Sequence, residues 1–271
     1  MIKHDGHIHS HYCPHGSSDS FAQYCEQAIQ KGLTGITFTE HAPLPKGFID
    51  PTPTMDSAMD ERHLTSYIEE LQAIQSYYKS KLTVLIGLEI DFVEGFELET
   101  KQFLDTYGPF LDDSILSVHF LKIEDIYYCM DYSPDTFKTC SDLLGSVDHV
   151  YQLYYETLKK SVQANLGTFK PTRIGHITLC EKFQKKYPAT KSYRQDIQTI
   201  LSLIHQKGYQ LDYNGAGTLK PLCGLTYPSA EIAEAASEMG IPLVYGSDAH
   251  QVKGMFSGVD MLSTKQSLSS P

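Results

Sequence analysis

The sequence predicts a closed barrel of parallel strands alternating with helices. Three observations lead there. Strand and helix patterns alternate along almost the whole chain. About seven strand patterns fall in a length that favours a closed barrel over an open sheet. Metal-binding types of side chain recur at the C-terminal ends of those strands, where such barrels gather their sites.

The elements follow in order. Lys3 to His9 forms a short strand, and a helix opens near Ser18 and Asp19 with Phe21, Cys25, Ala28 and Ile29 on its apolar face and Gly32 at its end. Leu33 to Thr39 is the second strand. Residues 42–59 carry Pro43, Pro45, Pro51 and Pro53 without periodicity, so they form a long loop of the kind that often serves as a lid. A helix follows with Leu64, Tyr67, Ile68, Leu71, Ile74 and Tyr78 on one stripe, then a third strand from Leu82 to Ile90. Ile115 to Phe120 is a strand leading into a small hairpin through Tyr127 to Met130. A long helix spans Val147 to Ala164, and Arg173 to Ile177 is the next strand. Tyr193 to His205 is helical, and Tyr209 to Tyr213 extended. Pro228 opens a helix running through Met239, and Ile241 to Tyr245 is the last strand. The tail from Ser263 to Pro271 reads as polar and frayed, and residues 1–271 as a single domain.

Composition narrows the function. A net charge of −11 disfavours a nucleic-acid surface, because phosphate backbones are met by Lys and Arg. No apolar run is long enough to span a bilayer. The opening MIKHDGHIHS lacks the apolar middle of a secretory signal, so a cytoplasmic protein is expected. The six cysteines are scattered without C-x-x-C spacing, which predicts reduced, buried thiols rather than disulfides or a thiolate zinc site.

The histidines matter through their positions. His7 and His9 stand two apart and project from one face of an extended strand. Glu89, His119 and His176 end the third, fourth and fifth strands, and Asp248 and His250 follow the last. His41 comes just after the second strand, and His15 lies in the loop after the first. H-x-H alone is common and says little; the whole set on one topological level points to metal. Imidazole and carboxylate without thiolate suit Zn²⁺, Mn²⁺ or Fe²⁺. The donors are too many for one tetrahedral ion, so two or three divalent ions are expected, with Glu89 as the natural bridge.

HDGHIHSHYCPHG, FTEH, GLEIDF, LSVHF, RIGHI and YGSDAH, in that order, resemble the PHP (polymerase and histidinol phosphatase) superfamily over nearly the full chain. SVHF with the following MDYSP, and LDYNGAGTLKP with a later YPS, resemble its monofunctional histidinol-phosphate phosphatase branch. The resemblance implies a distorted (β/α)7 barrel with a three-metal centre. One ion would take His7, His9, Glu89 and Asp248. A second would share Glu89 and add His119 and His176, and a third would take His15, His41 and His250. The implied reaction is hydrolysis of a small phosphate monoester, L-histidinol phosphate. Paired cations lower the pKa of a shared water and neutralise the phosphoryl oxygens.

Arg173 is the candidate clamp on the transition-state charge, against a surface salt bridge. Arg194, at a helix start, is the second candidate phosphate ligand. Asp248 or His250 is expected to hand a proton to the leaving oxygen, and Asp91 to orient a ligand from outside. Asp131 and Tyr132 are candidates for the substrate's amine and imidazole. Rival readings are a nucleotide phosphodiesterase or exonuclease of the same superfamily, and a metal-binding regulatory module without catalysis.

Overall fold

A computed structural model describes residues 2–262 and 267–271. The chain runs β1 (His4–Ile8), α1 (Phe21–Gln30), β2 (Gly35–His41), α2 (Glu61–Tyr78), β3 (Thr83–Asp91), α3 (Glu97–Tyr107) and β4 (Ile115–Ser117). It continues through the hairpin β5 (Phe120–Ile123) and β6 (Ile126–Cys129), α4 (Pro134–Leu144), α5 (Val147–Gln163) and β7 (Arg173–Ile174). Then come α6 (Arg194–Gln206), β8 (Gln210–Asn214), α7 (Ala230–Glu238), β9 (Leu243–Gly246) and β10 (Leu268–Ser269).

The main sheet is parallel in the order β1-β2-β3-β4-β7-β8-β9-β10. It closes above β9, where the Asp248 amide donates to the His7 carbonyl at 2.8 Å and the His9 amide to Ala249 at 3.0 Å. Closure therefore runs through the residues that flank Asp248. β10 lies on the lower part of β9, pairing Leu268 with Leu243. That segment of the tail is ordered against the sheet rather than frayed, and residues 263–266 lie outside the described residues.

The apolar core sits between the wall and the helices. Phe21, Tyr24, Cys25 and Ala28 of α1 are buried, and Phe21 meets Phe38 of β2 edge-on at 4.7 Å. Ser20 caps α1 in a capping box with Gln23, two residues beyond the expected start. Tyr67 of α2 reaches the Gly87 carbonyl of β3 at 2.8 Å. Tyr154 of α5 donates to the His176 carbonyl at 3.0 Å, which pins the turn carrying that imidazole. Two helices escape the periodicity because they bury so little: α3 only Thr100 and Leu104, α4 only Phe137 and Cys140. Strand ends also move. β2 runs on to include His41, while β7 stops at Ile174, so His176 lies on a turn.

Inside, the barrel is polar. Thr37, Thr39, Ser117, Arg173 and Asp212 are all buried there, together with glycines that let them fit. A Cβ on Gly175 would lie 2.2 Å from Ser117 Oγ, and one on Gly246 would lie 2.5 Å from both His7 Cβ and Asp212 Oδ1. No helix among the described residues is long and apolar enough to cross a membrane.

His4, at the lower end of β1, bonds Thr37 Oγ1 at 2.9 Å. Burial first, and the Arg173 guanidinium second, push its pKa down to about 3. The unfolded chain takes up this proton below about pH 6.5 while the folded one does not, so stability falls as pH drops from there toward 3. Removing the group by His4→Gln should make the acid-side loss shallower by about 1.4 kcal/mol per pH unit. Urea unfolding of chelated wild type and variant between about pH 6 and pH 4.5 measures this. Parallel pH dependences would refute it.

Candidate metal centre

Glu89, at the end of β3, is the hub. Its Oε2 lies 3.4 Å from His7 Nε2, 3.5 Å from His9 Nε2 and 3.2 Å from His41 Nδ1. Its Oε1 lies 2.9 Å from His176 Nε2 and 3.8 Å from His119 Nε2, and accepts from Ser117 Oγ at 2.6 Å. The two oxygens thus face two separate sets of imidazoles. Asp248 Oδ1 stands 3.2 Å from His9 Nε2 and 3.8 Å from His7 Nε2. Asp248 adopts φ +53°, a left-handed turn conformation that Asp tolerates. His15 and His250 bring their Nε2 atoms to 3.2 Å. Among the described residues three donor groups emerge: His7, His9 and Glu89; Glu89, His119 and His176; and His9, Cys13, His41 and His250.

Most of these imidazoles are oriented from behind. Nδ1 of His7 bonds Asp212 Oδ2 at 2.9 Å, Nδ1 of His9 bonds Glu40 Oε1 at 3.3 Å, and Nδ1 of His119 bonds Asp91 Oδ1 at 2.7 Å. His15 and His250 give Nδ1 to the backbone carbonyls of Asp56 and Asp248, at 2.9 and 3.1 Å. With Nδ1 as donor, Nε2 keeps its lone pair for the centre.

The electrostatics fit divalent cations. Burial would raise the Glu89 pKa, but His7 and His119 outweigh it and hold the carboxyl well below its usual range. Asp248 is held down against burial in the same way by His7 and His9. Burial and the neighbouring His9 push His41 and His250 well below 6.5, so both offer neutral lone pairs. Against the opposing effect of burial, carboxylate partners raise His9 to about 9 and His119 to about 10. A bound cation would displace the protons that these two would otherwise hold. His7 Nε2 faces His9 Nε2 at 3.3 Å, and His41 Nδ1 is buried without a hydrogen-bond partner. Facing nitrogens and an orphaned one are what a shared cation would satisfy.

The centre forms the floor of a cavity of about 630 Å³, whose lining includes His15, His41, Glu89, His119, His176, Asp248 and His250. The model of the PHP domain family matches residues 5–216. The chain belongs to that family. A Bacillus subtilis histidinol-phosphatase is 48% identical over 93% of this chain and 94% of its own length. A crystal structure of a candidate histidinol phosphatase from Listeria monocytogenes superposes with a TM-score of 0.91 at 36% identity, covering 95% of this chain and 99% of that one. A histidinol phosphate phosphatase from Lactococcus lactis, solved with zinc, L-histidinol and phosphate, shares the fold at TM-score 0.70 and 23% identity over 96% and 92% of the two chains.

Within this PHP barrel the arginine expectations require correction. Arg173 is wholly buried and pairs with Asp113, its guanidinium lying against Gly6 inside the lower barrel. It precedes His176 by three residues on a rising strand, so it enters below the metal level and does not line the cavity. It is neither a clamp nor a surface pair. Arg194 does open a helix, but its side chain is 82% exposed and pairs with Glu231 at 2.7 Å, away from the cavity. Among the described residues, the lysines and arginines on the cavity wall are Lys182, in a 3-10 turn at Leu179–Phe183, and Lys220 after β8. Lys182 is bound by Asp131 at 2.8 Å. Sequence reasoning missed Asp212, Glu40 and both lysines. Asp212 had a signal, since it stands two before Asn214 and shares its face of the strand. Asn214 Nδ2 bridges Asp212 Oδ2 and Asp248 Oδ2, each at 3.2 Å.

Because Asp212 orients His7 from outside the centre, Asp212→Ala should weaken metal binding by about 10- to 100-fold. Titration of the chelated protein with Zn²⁺ reads this directly. Wild-type affinity in the variant would sink the orienting role.

Proposed function

We propose that the chain is a metal-dependent phosphoric monoester hydrolase acting on L-histidinol phosphate, releasing L-histidinol and phosphate in histidine biosynthesis. The observation that carries the reading is the convergence of imidazoles and carboxylates from distant strand ends around Glu89, in a chain 48% identical to a histidinol-phosphatase. The proposed ligand sets are His7, His9, Glu89 and Asp248 for one ion, Glu89, His119 and His176 for a second, and His15, His41 and His250 for a third. Zinc is the first ion to test, given the zinc in the Lactococcus lactis structure, with iron and manganese suited to the same donors. When bound, such ions lower the pKa of a water and neutralise phosphoryl oxygens.

The chain's own groups do the rest. The burial of His7, His9, Glu89 and His176 strengthens electrostatic contacts at the floor of the cavity. Lys182 and Lys220 supply the positive charge that Arg173 and Arg194 do not. Burial works to lower the Lys182 pKa, but the Asp131 carboxylate raises it above the ordinary value and keeps the ammonium charged. Relay of a proton from the attacking water to the leaving oxygen is assigned to Asp248 or His250, because both are unprotonated at rest, line the cavity and keep side chains 20% and 29% exposed. A single-domain cytoplasmic enzyme with a small-molecule substrate accords with six buried free cysteines and a charge of −11.

Phosphate release from histidinol phosphate should vanish on chelation and return with added Zn²⁺ or Mn²⁺, with negligible release from a nucleotide diester. Full activity in protein shown by elemental analysis to be metal-free would end the reading. Lys182→Ala should cost about 100-fold in kcat/KM, while Arg194→Ala stays at the wild-type value. The reverse ranking would return the phosphate contact to Arg194.

A further inference from the structure

A phosphate ester whose ammonium lies three bonds from the ester oxygen needs a carboxylate close to the ions yet not consumed by them. Among the described residues, Asp56, Glu89, Asp91, Asp131 and Asp248 line the cavity. Glu89 and Asp248 face the metal imidazoles. Asp91 is taken by His119 Nδ1 at 2.7 Å, and Asp131 by Lys182 Nζ at 2.8 Å. Asp56 alone of the five has no cationic or imidazole partner for its carboxylate; Oδ1 accepts from the Thr54 hydroxyl at 2.5 Å.

Its position is fixed rather than incidental. The Asp56 carbonyl accepts from His15 Nδ1 at 2.9 Å, which ties the residue to the His15–His250 side of the centre. The surrounding turn is built on Asp50, whose Oδ1 accepts from the Thr52 amide at 2.8 Å and whose Oδ2 accepts from the Ser57 amide and hydroxyl at 3.0 and 2.6 Å. Thr52 and Ser57 line the cavity beside it. A preformed turn therefore carries one carboxylate without a cationic or imidazole partner to the edge of the metal site.

We propose that Asp56 receives the ammonium group of the substrate and selects esters that carry one beside the ester carbon. This rests on the reading of the chain as a histidinol-phosphatase, and it moves amine recognition from Asp131 to the loop at residues 42–59. The ammonium would bond the Asp56 carboxylate while the phosphate lies on the ions, which sets the direction in which the ester enters.

The test compares kcat/KM for histidinol phosphate with that for an aryl phosphate, and for 2-aminoethyl phosphate with that for ethyl phosphate, in metal-loaded wild type, Asp56→Asn, Asp56→Glu and Asp131→Asn. Bound metal is counted in each. Asp56→Asn should lower both ratios by about tenfold or more, and Asp56→Glu, which keeps the charge, should hold them within a few-fold. Ratios unchanged in Asp56→Asn, or lost in Asp131→Asn instead, overturn the assignment. If Asp56→Asn loses metal, Asp56→Glu with full metal and collapsed ratios equally overturns it, and retained ratios support it. Wild type that ignores histidinol phosphate yet prefers 2-aminoethyl over ethyl phosphate would sink the substrate and leave the ammonium site standing.

Discussion

A carboxylate and several imidazoles cannot be buried together in a barrel unless their charges are balanced, and Glu89 is where that balance is struck. It is 1% exposed and lies within 3.8 Å of a nitrogen on each of five histidines. An isolated buried carboxylate would be neutral or would unfold its surroundings. Here the imidazoles hold it ionised, and its two oxygens separate them into two sets. Cations held in that gap would relieve the imidazole crowding and keep the carboxylate charged, which would couple metal binding to local stability.

The constraint propagates outward. For His7, His9 and His119, turning one nitrogen to the centre leaves the other in need of an acceptor, and these acceptors come from other strands: Asp212 from β8, Glu40 from β2 and Asp91 from β3. Register is thereby tied to chemistry, since a one-residue slip would turn the donors or acceptors away. The interior gives up apolar filling to hold this network. Glycines admit it at close quarters, and the apolar core moves to the layer between wall and helices. Arg173, buried beneath with Asp113, belongs to that polar interior.

Above the centre, the cavity wall divides by charge and origin. The hairpin and the 3-10 turn after β7 contribute the Asp131–Lys182 pair. The loop at residues 42–59 contributes the Asp50-ordered turn and Asp56. A barrel supplies fixed strand ends, and the loops set what is bound there.

By itself the sequence determined the barrel and the level at which the metal-type residues lie, but not the last strand, β10, which it read as a frayed tail. Those follow from local alternation and from spacing along single strands, as with His7 and His9 or Asp248 and His250. Helices α3 and α4 were illegible, because two buried residues apiece leave no stripe. The arginines misled because charge type can be read from one residue, whereas its height within the barrel depends on the pairing of neighbouring strands. Only the tertiary structure decided that Arg173 lies below the centre, that Asp212 and Glu40 stand behind imidazoles, and that Lys182 faces the cavity. Contacts between residues as distant as His7 and Asp212 are set by sheet closure, which leaves no trace in the local pattern of either segment.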